Sequence, residues 1–136
     1  MPRQFRVLFV CMGNCVRSQM AEALARHYVS DIIVAESAGL HPLGFVDSTT
    51  LEVLKEEGIA SDGQFSKGLR SSHLVSPDFI VNMSGLPGAG LFHGKVFEDW
   101  SIQDPFGEGI ATHRRILTEI RTRILELADR FRASQQ

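Results

Sequence analysis

Four short apolar runs divide the chain into regular segments. The run at residues 5–10 is near-continuous, and further runs lie at 32–36, 79–83 and 95–100. A strand covered on both faces shows such a continuous pattern, because neither of its faces meets water. The pattern therefore predicts four β-strands, of which the second is short, β-branched and closed by residues 37–39.

Apolar residues at helical spacing lie between these runs and after the last one. They predict a helix over residues 18–30 and a long final helix that opens at residues 107–109. Another helix is predicted to begin with a cap at Asp47 or Ser48 and to stop at Gly58. The final helix carries apolar side chains at the helical period, namely Ile116, Leu117, Ile120, Ile124, Leu127 and Phe131.

The order of these elements predicts an α/β fold. Residues 85–94 contain four glycines and a proline, which predicts an irregular loop. Strands that alternate with helices imply a single-domain, four-stranded parallel sheet with right-handed crossovers and helices on both faces. Ligands of such sheets bind at the carboxyl ends of the strands. Cys11, Gly85 and Trp100 each come just after or at the end of a strand, so the loops there are expected to surround the binding site.

The composition agrees with one globular domain over residues 1–136. A chain of 136 residues and 15.1 kDa can bury about two thirds of its unfolded surface. A formal net charge of −2 gives no argument for a nucleic acid or a membrane as partner. No apolar run approaches the ~20 residues that span a bilayer, so neither partner is expected.

The cysteines and histidines indicate neither a disulfide framework nor a metal site. The two cysteines lie four positions apart in one loop, a spacing that suits neither arrangement. The histidines are not spaced like metal ligands, namely His27, His73, His93 and His113. Because no signal peptide is visible, we expect a reducing cytoplasm in which both thiols stay free.

The chemistry is concentrated in residues 11–18, which read Cys-Met-Gly-Asn-Cys-Val-Arg-Ser directly after the first apolar run. Gly13 and Asn14 tolerate the left-handed backbone of a tight loop, which can turn successive N–H groups inward around an anion. The helix that follows adds its positive end to the same place. Cys11 is therefore predicted to be a nucleophilic thiolate, and Arg17 a fork that binds two oxygens of a tetrahedral anion.

Both residues also have an ordinary interpretation. Cys11 alone would be a buried thiol at the end of a strand. Arg17 would be an exposed residue of the first helical turn that pairs with Glu22 or Asp47. Because the helix dipole disfavours a cation at a helix N-terminus, a bound anion explains this arginine better.

Residues 11–17 resemble the Cys-x5-Arg phosphate loop of the low-molecular-weight protein tyrosine phosphatases and of the arsenate reductases that share their fold. Residues 18–23 and 37–39 and the pair Asp104 and Pro105 are similar to the same superfamily. The likeness extends over nearly the whole chain in order and spacing. It implies a flavodoxin-like or Rossmann-like domain with the phosphate loop after the first strand.

The resemblance also implies roles for the residues around the nucleophile. Ser18 would donate a hydrogen bond to the Cys11 thiolate, with a helix cap or a first-turn position as its ordinary role. Ser37 would bond to the loop asparagine. Asp104 would be the general acid that protonates the leaving oxygen, with a turn before the last helix as the alternative. Besides Ser18, the anion would be bound by the loop residues Met12, Gly13, Asn14, Cys15 and Val16.

Two features depart from the family pattern. The family's second loop cysteine directly precedes the arginine, whereas Cys15 lies one position earlier. We interpret Cys15 as a packing thiol, with a disulfide to Cys11 under oxidation as the alternative. The classical phosphatases carry tyrosine after the Asp-Pro pair, where this chain has Phe106. His41, Phe45 and Phe106 are candidates for stacking on an aryl substrate, or are ordinary loop residues.

Three hypotheses for the function follow. The first is cysteine-dependent phosphomonoester hydrolysis of the protein tyrosine phosphatase type, through a phosphocysteine. The second is arsenate reduction, because Gln19 and residues 66–69 look more like the reductases. Since residues 83–92 contain no cysteine, that reaction needs an external thiol. The third is a non-catalytic module that binds a tetrahedral oxyanion, against which the pairing of a nucleophile with an acid argues. No cofactor is expected, because the loop and Arg17 supply the positive charge.

Overall fold

The computed structural model describes residues 3–70 and 76–135, where strands and helices alternate largely as predicted. In chain order the elements are β1 (Phe5–Cys11), α1 (Arg17–Tyr28), β2 (Ile33–Gly39), α2 (Ser48–Glu56), β3 (Phe79–Asn82), α3 (Gly88–Leu91), β4 (Phe97–Asp99) and α4 (Ile110–Ala133).

The sheet is built around β1, which has a strand on each side. Its order is β2-β1-β3-β4 and every pair is parallel, which confirms the predicted parallel sheet. Phe9 and Val10 point to opposite faces of β1 and both are completely buried, which explains the continuous apolar run. The strand order reverses between β1 and β3, and ligands bind at such a switch point in open α/β sheets.

The second strand extends to Gly39, beyond its predicted end at residue 36. Residues 37–39 continue the parallel ladder with residues 9–11 because β1 itself extends to Cys11. A Cβ at Gly39 would lie 2.8 Å from the backbone nitrogen of Asn14. Only glycine fits there, so the end of β2 lies directly against the loop between β1 and α1.

Three helices cover one face of the sheet and form the main core. Helices α1, α2 and α4 contact one another there, and the apolar positions predicted for the final helix are all buried in this core. Asp47 caps α2, since its carboxylate accepts a hydrogen bond of 3.1 Å from Thr50 N. No helix within residues 3–70 and 76–135 is long and apolar enough to cross a membrane.

The opposite face carries a smaller apolar cluster that includes Phe92, the residue after α3. The prediction of an irregular loop over residues 85–94 is wrong at α3, which forms one helical turn. Asp99 Oδ1 accepts a hydrogen bond of 3.1 Å from Gly88 N and so stabilises the start of this turn. A Cβ at Gly88 would lie 2.5 Å from the Phe97 ring, so the absence of a side chain lets the turn pack on β4.

Candidate active site

The loop of residues 12–16 connects β1 to α1 and turns its carbonyl groups outward. Each carbonyl oxygen from Cys11 to Cys15 accepts a hydrogen bond of 2.8 to 3.1 Å from outside the loop, in order from Leu40 N, His41 N, Leu43 N, Gln19 Nε2 and Asp47 N. Asn14 has a φ of +48°, the left-handed backbone predicted at this point. Within the described residues, the N–H groups of residues 12–16 donate to no protein atom. The loop thus presents a set of free donors suited to an anion.

Cys11 lies at the end of β1 below this loop and is 2% exposed. Its Sγ is 2.9 Å from Ser18 Oγ, and Ser18 Oγ accepts a hydrogen bond of 2.8 Å from Asn14 Nδ2. Because Asn14 donates to the hydroxyl, the proton of that hydroxyl is available to Cys11. The arrangement stabilises a thiolate. Ser18 lies in the first turn of α1 and is not its cap, since α1 begins at Arg17.

Arg17 is buried at the start of α1, and the interpretation of an exposed arginine paired with Glu22 or Asp47 is wrong. Its Nη1 donates to Met83 O at 2.5 Å and to Ile102 O at 3.2 Å, just beyond β3 and β4. Its Nε is buried and has no hydrogen-bond partner among the described residues. A bound oxyanion would supply the missing acceptor.

Asp104 lies in the segment between β4 and α4, and its side chain is 48% exposed. Its Oδ2 is 3.5 Å from Arg17 Nη2, so the structure brings it to the mouth of the loop. Its Oδ1 accepts a hydrogen bond of 3.0 Å from Phe106 N, so the residue also forms the turn that was the ordinary interpretation. The turn holds the second carboxylate oxygen beside the arginine.

These groups together form a centre for displacement at a tetrahedral oxyanion. Cys11 lies beneath a loop with free N–H donors, Arg17 offers an unpaired donor, and Asp104 places a carboxyl group at the open side. A thiolate can attack the central atom while the loop and the guanidinium neutralise the oxygens. The carboxyl group can protonate the oxygen that leaves.

Cys15 packs into the main apolar core and is 5% exposed. Burial, together with negative charge at Cys11 and Asp104, raises the pKa of the Cys15 thiol to about 11. Both cysteines are free thiols. Cys15 therefore stays protonated at neutral pH.

We expect iodoacetamide at pH 7 to alkylate Cys11 and to leave Cys15 unmodified. A thiol with a pKa of about 11 has only ~10⁻⁴ of its population as thiolate at pH 7, and the thiolate is the form that reacts. Peptide mapping by mass spectrometry measures the two extents of labelling. Inorganic phosphate should slow the labelling of Cys11, and equal labelling of both cysteines would contradict the assignment.

Ser37 does not form the predicted bond to Asn14. Its hydroxyl donates instead to Glu22 Oε1 at 2.5 Å and accepts from Lys67 Nζ at 3.4 Å. The side-chain oxygen of Asn14 is already occupied, because it accepts from Gln19 Nε2 at 3.0 Å and from Lys67 N at 2.8 Å. A buried Glu22–Lys67 pair was not predicted, although both residues lie in segments that resemble the superfamily.

An apolar rim surrounds the mouth of the site. The rings of Phe45 and Phe106 have centroids 6.3 Å apart, and their exposed fractions are 48% and 45%. Leu43, two residues before Phe45, is 49% exposed, and its Cγ would lie 3.0 Å from a Cβ at Gly13. His41 is also exposed. Because Phe106 N donates to Asp104 Oδ1, the two rings lie on the Asp104 side of the site.

Metal-ligand geometry is not found in the described part of the chain. No group of three or more His, Cys, Asp or Glu side chains there is placed to hold a metal ion. His73, one of the histidines considered above, lies outside the described residues.

Comparison with known sequences links this site to two activities. The family model for low molecular weight phosphotyrosine protein phosphatase matches residues 6–87. Eight of the matching relatives carry the name arsenate reductase, and they are 29 to 33% identical over 87 to 91% of this chain. One of them, the glutaredoxin arsenate reductase of Synechocystis, is 30% identical, with 90% of this chain and 95% of that protein covered.

Comparison with solved structures gives the same pair of activities. An arsenate reductase in the phosphate binding state superposes with a TM-score of 0.84 at 27% identity, covering 94% of this chain and 99% of that one. A low molecular weight protein tyrosine phosphatase from T. tengcongensis superposes with a TM-score of 0.81 at 27% identity, covering 93% and 99%. The same fold therefore occurs in proteins named as arsenate reductases and in one named as a tyrosine phosphatase.

Proposed function

Since the chain belongs to the low molecular weight phosphotyrosine protein phosphatase family, we propose that it uses the family's loop to reduce arsenate with electrons from an external thiol. The observation that carries this proposal is the name shared by the eight relatives, which match 87 to 91% of the chain. The geometry supports it, because arsenate is a tetrahedral oxyanion of the size and charge of phosphate. The favoured sequence hypothesis, phosphomonoester hydrolysis, becomes the second candidate.

The first chemical step joins Cys11 to arsenic. Arsenate binds to the free N–H groups of the loop and to the unpaired Nε of Arg17. The thiolate attacks arsenic and forms a sulfur–arsenic bond, and an oxygen leaves as water after Asp104 has given it a proton. The positive charge that the anion needs comes from the guanidinium, the amides and the N-terminus of α1.

The second step needs thiols from outside the chain. The sequence has two cysteines, and residues 83–92, after β3, contain none. A low-molecular-weight thiol attacks Cys11 Sγ, so that arsenic leaves as arsenite with the electron pair of the sulfur–arsenic bond. A second thiol attacks the resulting mixed disulfide and restores the Cys11 thiolate. Arsenic gains two electrons and two thiols lose them to form one disulfide.

The experiment is to incubate the protein with arsenate and glutathione and to measure arsenite and oxidised thiol. We expect one arsenite for every two thiols consumed, with inorganic phosphate as a competitive inhibitor. The absence of arsenite above the protein-free control, with glutathione or with a protein thiol of the glutaredoxin class, would refute the proposal. Cys11 is a free thiol in the structure, as this reaction requires.

Phosphomonoester hydrolysis is favoured by one specific observation, the aromatic pair at the rim. Phe45 and Phe106 lie 6.3 Å apart beside Asp104, where an aryl leaving group would stand. A bare oxyanion has no group for these rings to contact. In this reaction Cys11 would attack phosphorus, and Asp104 would protonate the leaving oxygen and then activate the water that releases phosphate. Hydrolysis of p-nitrophenyl phosphate without thiol and without arsenite formation would favour this candidate.

Replacing Asp104 with asparagine should slow turnover and spare binding. The asparagine amide cannot act as a general acid. In either reaction we therefore expect kcat to fall by roughly 10² to 10³-fold, within the range for general acid catalysis. The dissociation constant of inorganic phosphate should change by less than about threefold, since Asn keeps the turn to Phe106 N. Steady-state kinetics and calorimetric titration measure the two quantities.

Glu108 offers the matched control for this variant. It is an exposed carboxylate four residues later in the same segment, and Glu108→Gln should leave kcat unchanged. A loss in Glu108→Gln as large as that in Asp104→Asn would show that the segment, rather than the Asp104 carboxyl, limits the rate.

A further inference from the structure

A buried ammonium group lies behind the phosphate loop without touching the oxyanion site. Lys67 Nζ is 3.5 Å from Glu22 Oε1, with side-chain exposures of 7% and 2%. It also donates to Ser37 Oγ at 3.4 Å and to the carbonyl oxygen of Phe65 at 3.2 Å. Lysine and glutamate are seldom buried so deeply, and the reaction proposed above gives neither of them a chemical step.

The backbone around this lysine braces the loop. We call residues 64–68 the strap. Lys67 N donates to Asn14 Oδ1 at 2.8 Å, and Lys67 O accepts from Gly39 N at 2.9 Å. Gln19 Nε2 donates hydrogen bonds of 3.0 Å both to Phe65 O and to Asn14 Oδ1, and so links the strap to the asparagine. The strap therefore holds the asparagine whose left-handed backbone shapes the loop.

A continuous set of contacts connects the buried ion pair to the nucleophile. The ammonium group anchors the strap on Glu22, and the strap orients the amide of Asn14. Asn14 Nδ2 donates to Ser18 Oγ at 2.8 Å, and that oxygen is 2.9 Å from Cys11 Sγ. Movement of the strap would turn the amide of Asn14 and with it the hydroxyl that the thiolate needs.

We propose that Lys67 is a positioning residue, whose ammonium group fixes the strap so that Asn14 and Ser18 hold Cys11 in its reactive state. The proposal rests on Cys11 being the nucleophile and holds for either oxyanion. Arg26 supplies a comparison, because its Nη1 binds the other oxygen of Glu22 at 2.7 Å from a half-exposed position. It neutralises the same carboxylate but makes no hydrogen bond to the strap or to Asn14.

The test is the rate at which iodoacetamide alkylates Cys11 between pH 5 and pH 9, in Lys67→Met and in Arg26→Met. In Lys67→Met the rate at pH 7 should fall by roughly tenfold or more, as expected when a reactive group loses its exact placement. Half-maximal alkylation should move to a higher pH, and kcat should fall more than the affinity for phosphate. Arg26→Met should stay within about twofold of the wild type.

A second variant separates positioning from stability. Lys67→Met leaves the buried carboxylate of Glu22 with one cationic partner, which can destabilise the fold. Lys67→Met/Glu22→Gln removes that carboxylate as well, and thermal denaturation shows whether each variant is folded. Slow alkylation in the folded double variant supports the proposal. An unchanged pH profile in a folded variant, or full recovery in the double variant, overturns it.

The alkylation measurement also keeps this inference distinct from the proposed reaction. If no arsenite forms but Lys67→Met still shifts the alkylation profile, the reaction is wrong and the role of Lys67 stands. If arsenite forms and the profile does not move, the reaction stands and the role of Lys67 is wrong.

Discussion

Replacing Cys11 with serine should reduce turnover by at least about 10⁴-fold, the scale of loss when a covalent nucleophile is removed. Serine keeps the shape of the site, but its hydroxyl is far less ionised than a thiol beneath the loop. Serine also cannot form a mixed disulfide with an external thiol, so the step of arsenate reduction that transfers electrons is lost. Arsenite formation and p-nitrophenyl phosphate hydrolysis should both be lost.

The free N–H groups of residues 12–16 and Arg17 remain in this variant, so Cys11→Ser should still bind phosphate. Cys15→Ser is the matched control, because it makes the same atomic change four residues away in the same loop. We expect Cys15→Ser to keep activity within about fivefold, since its backbone N–H is retained and the Cys15 thiol stays protonated. Activity in Cys11→Ser within tenfold of the wild type would contradict the mechanism.

Replacing Arg17 with lysine should weaken the binding of phosphate and arsenate by roughly 10² to 10³-fold. The guanidinium is fixed by Met83 O and Ile102 O and leaves Nε free for the anion. An ammonium group cannot make these planar contacts together. The loss of the hydrogen bonds that Nε and Nη2 would donate to the anion, at about 1.5 to 2 kcal/mol each, gives the stated range.

Arg26→Lys is the control for this substitution, since Arg26 lies on the same helix and its side chain is half exposed. Calorimetric titration with phosphate should give an unchanged dissociation constant for Arg26→Lys. An equally small change in Arg17→Lys would show that the loop amides alone hold the anion.

The parallel sheet was predictable because β1 is covered on both faces and reads as one apolar run. Phe9 and Val10 need burial whichever face they meet, so the sequence indicates a central strand without any knowledge of its neighbours. The final helix was predictable for a related reason. Its apolar residues recur with the helical period over about four turns, from Ile116 to Phe131.

The one-turn helix α3 and the end of β2 were not predictable from local pattern. The turn at Gly88 depends on Asp99, eleven residues later, and on the space beside the Phe97 ring. The extension of β2 depends on its pairing with β1 up to Cys11. Both are set by tertiary contacts that override local propensity.

The site also contains some features that local spacing indicates and others that depend on distant contacts. Cys11, Asn14 and Arg17 lie within one short motif, so their spacing alone indicates a nucleophile, a tight loop and an anion-binding arginine. The anchoring of Arg17 by carbonyl groups beyond β3 and β4 depends on residues 66 and 85 positions away. The ion pair between Glu22 and Lys67 likewise joins distant segments, which is why sequence inspection missed it.

Peptide mass spectrometry after a single turnover with arsenate and a limiting amount of glutathione identifies the sulfur atom that takes part in the reduction. If Cys11 is the nucleophile in arsenate reduction, we expect a glutathione mixed disulfide on Cys11 that forms only when arsenate is present. Cys15 should remain unmodified. Dithiothreitol should remove the adduct and restore the free thiol. An unmodified Cys11 after arsenite has formed, or an adduct on Cys15 instead, would contradict arsenate reduction through Cys11.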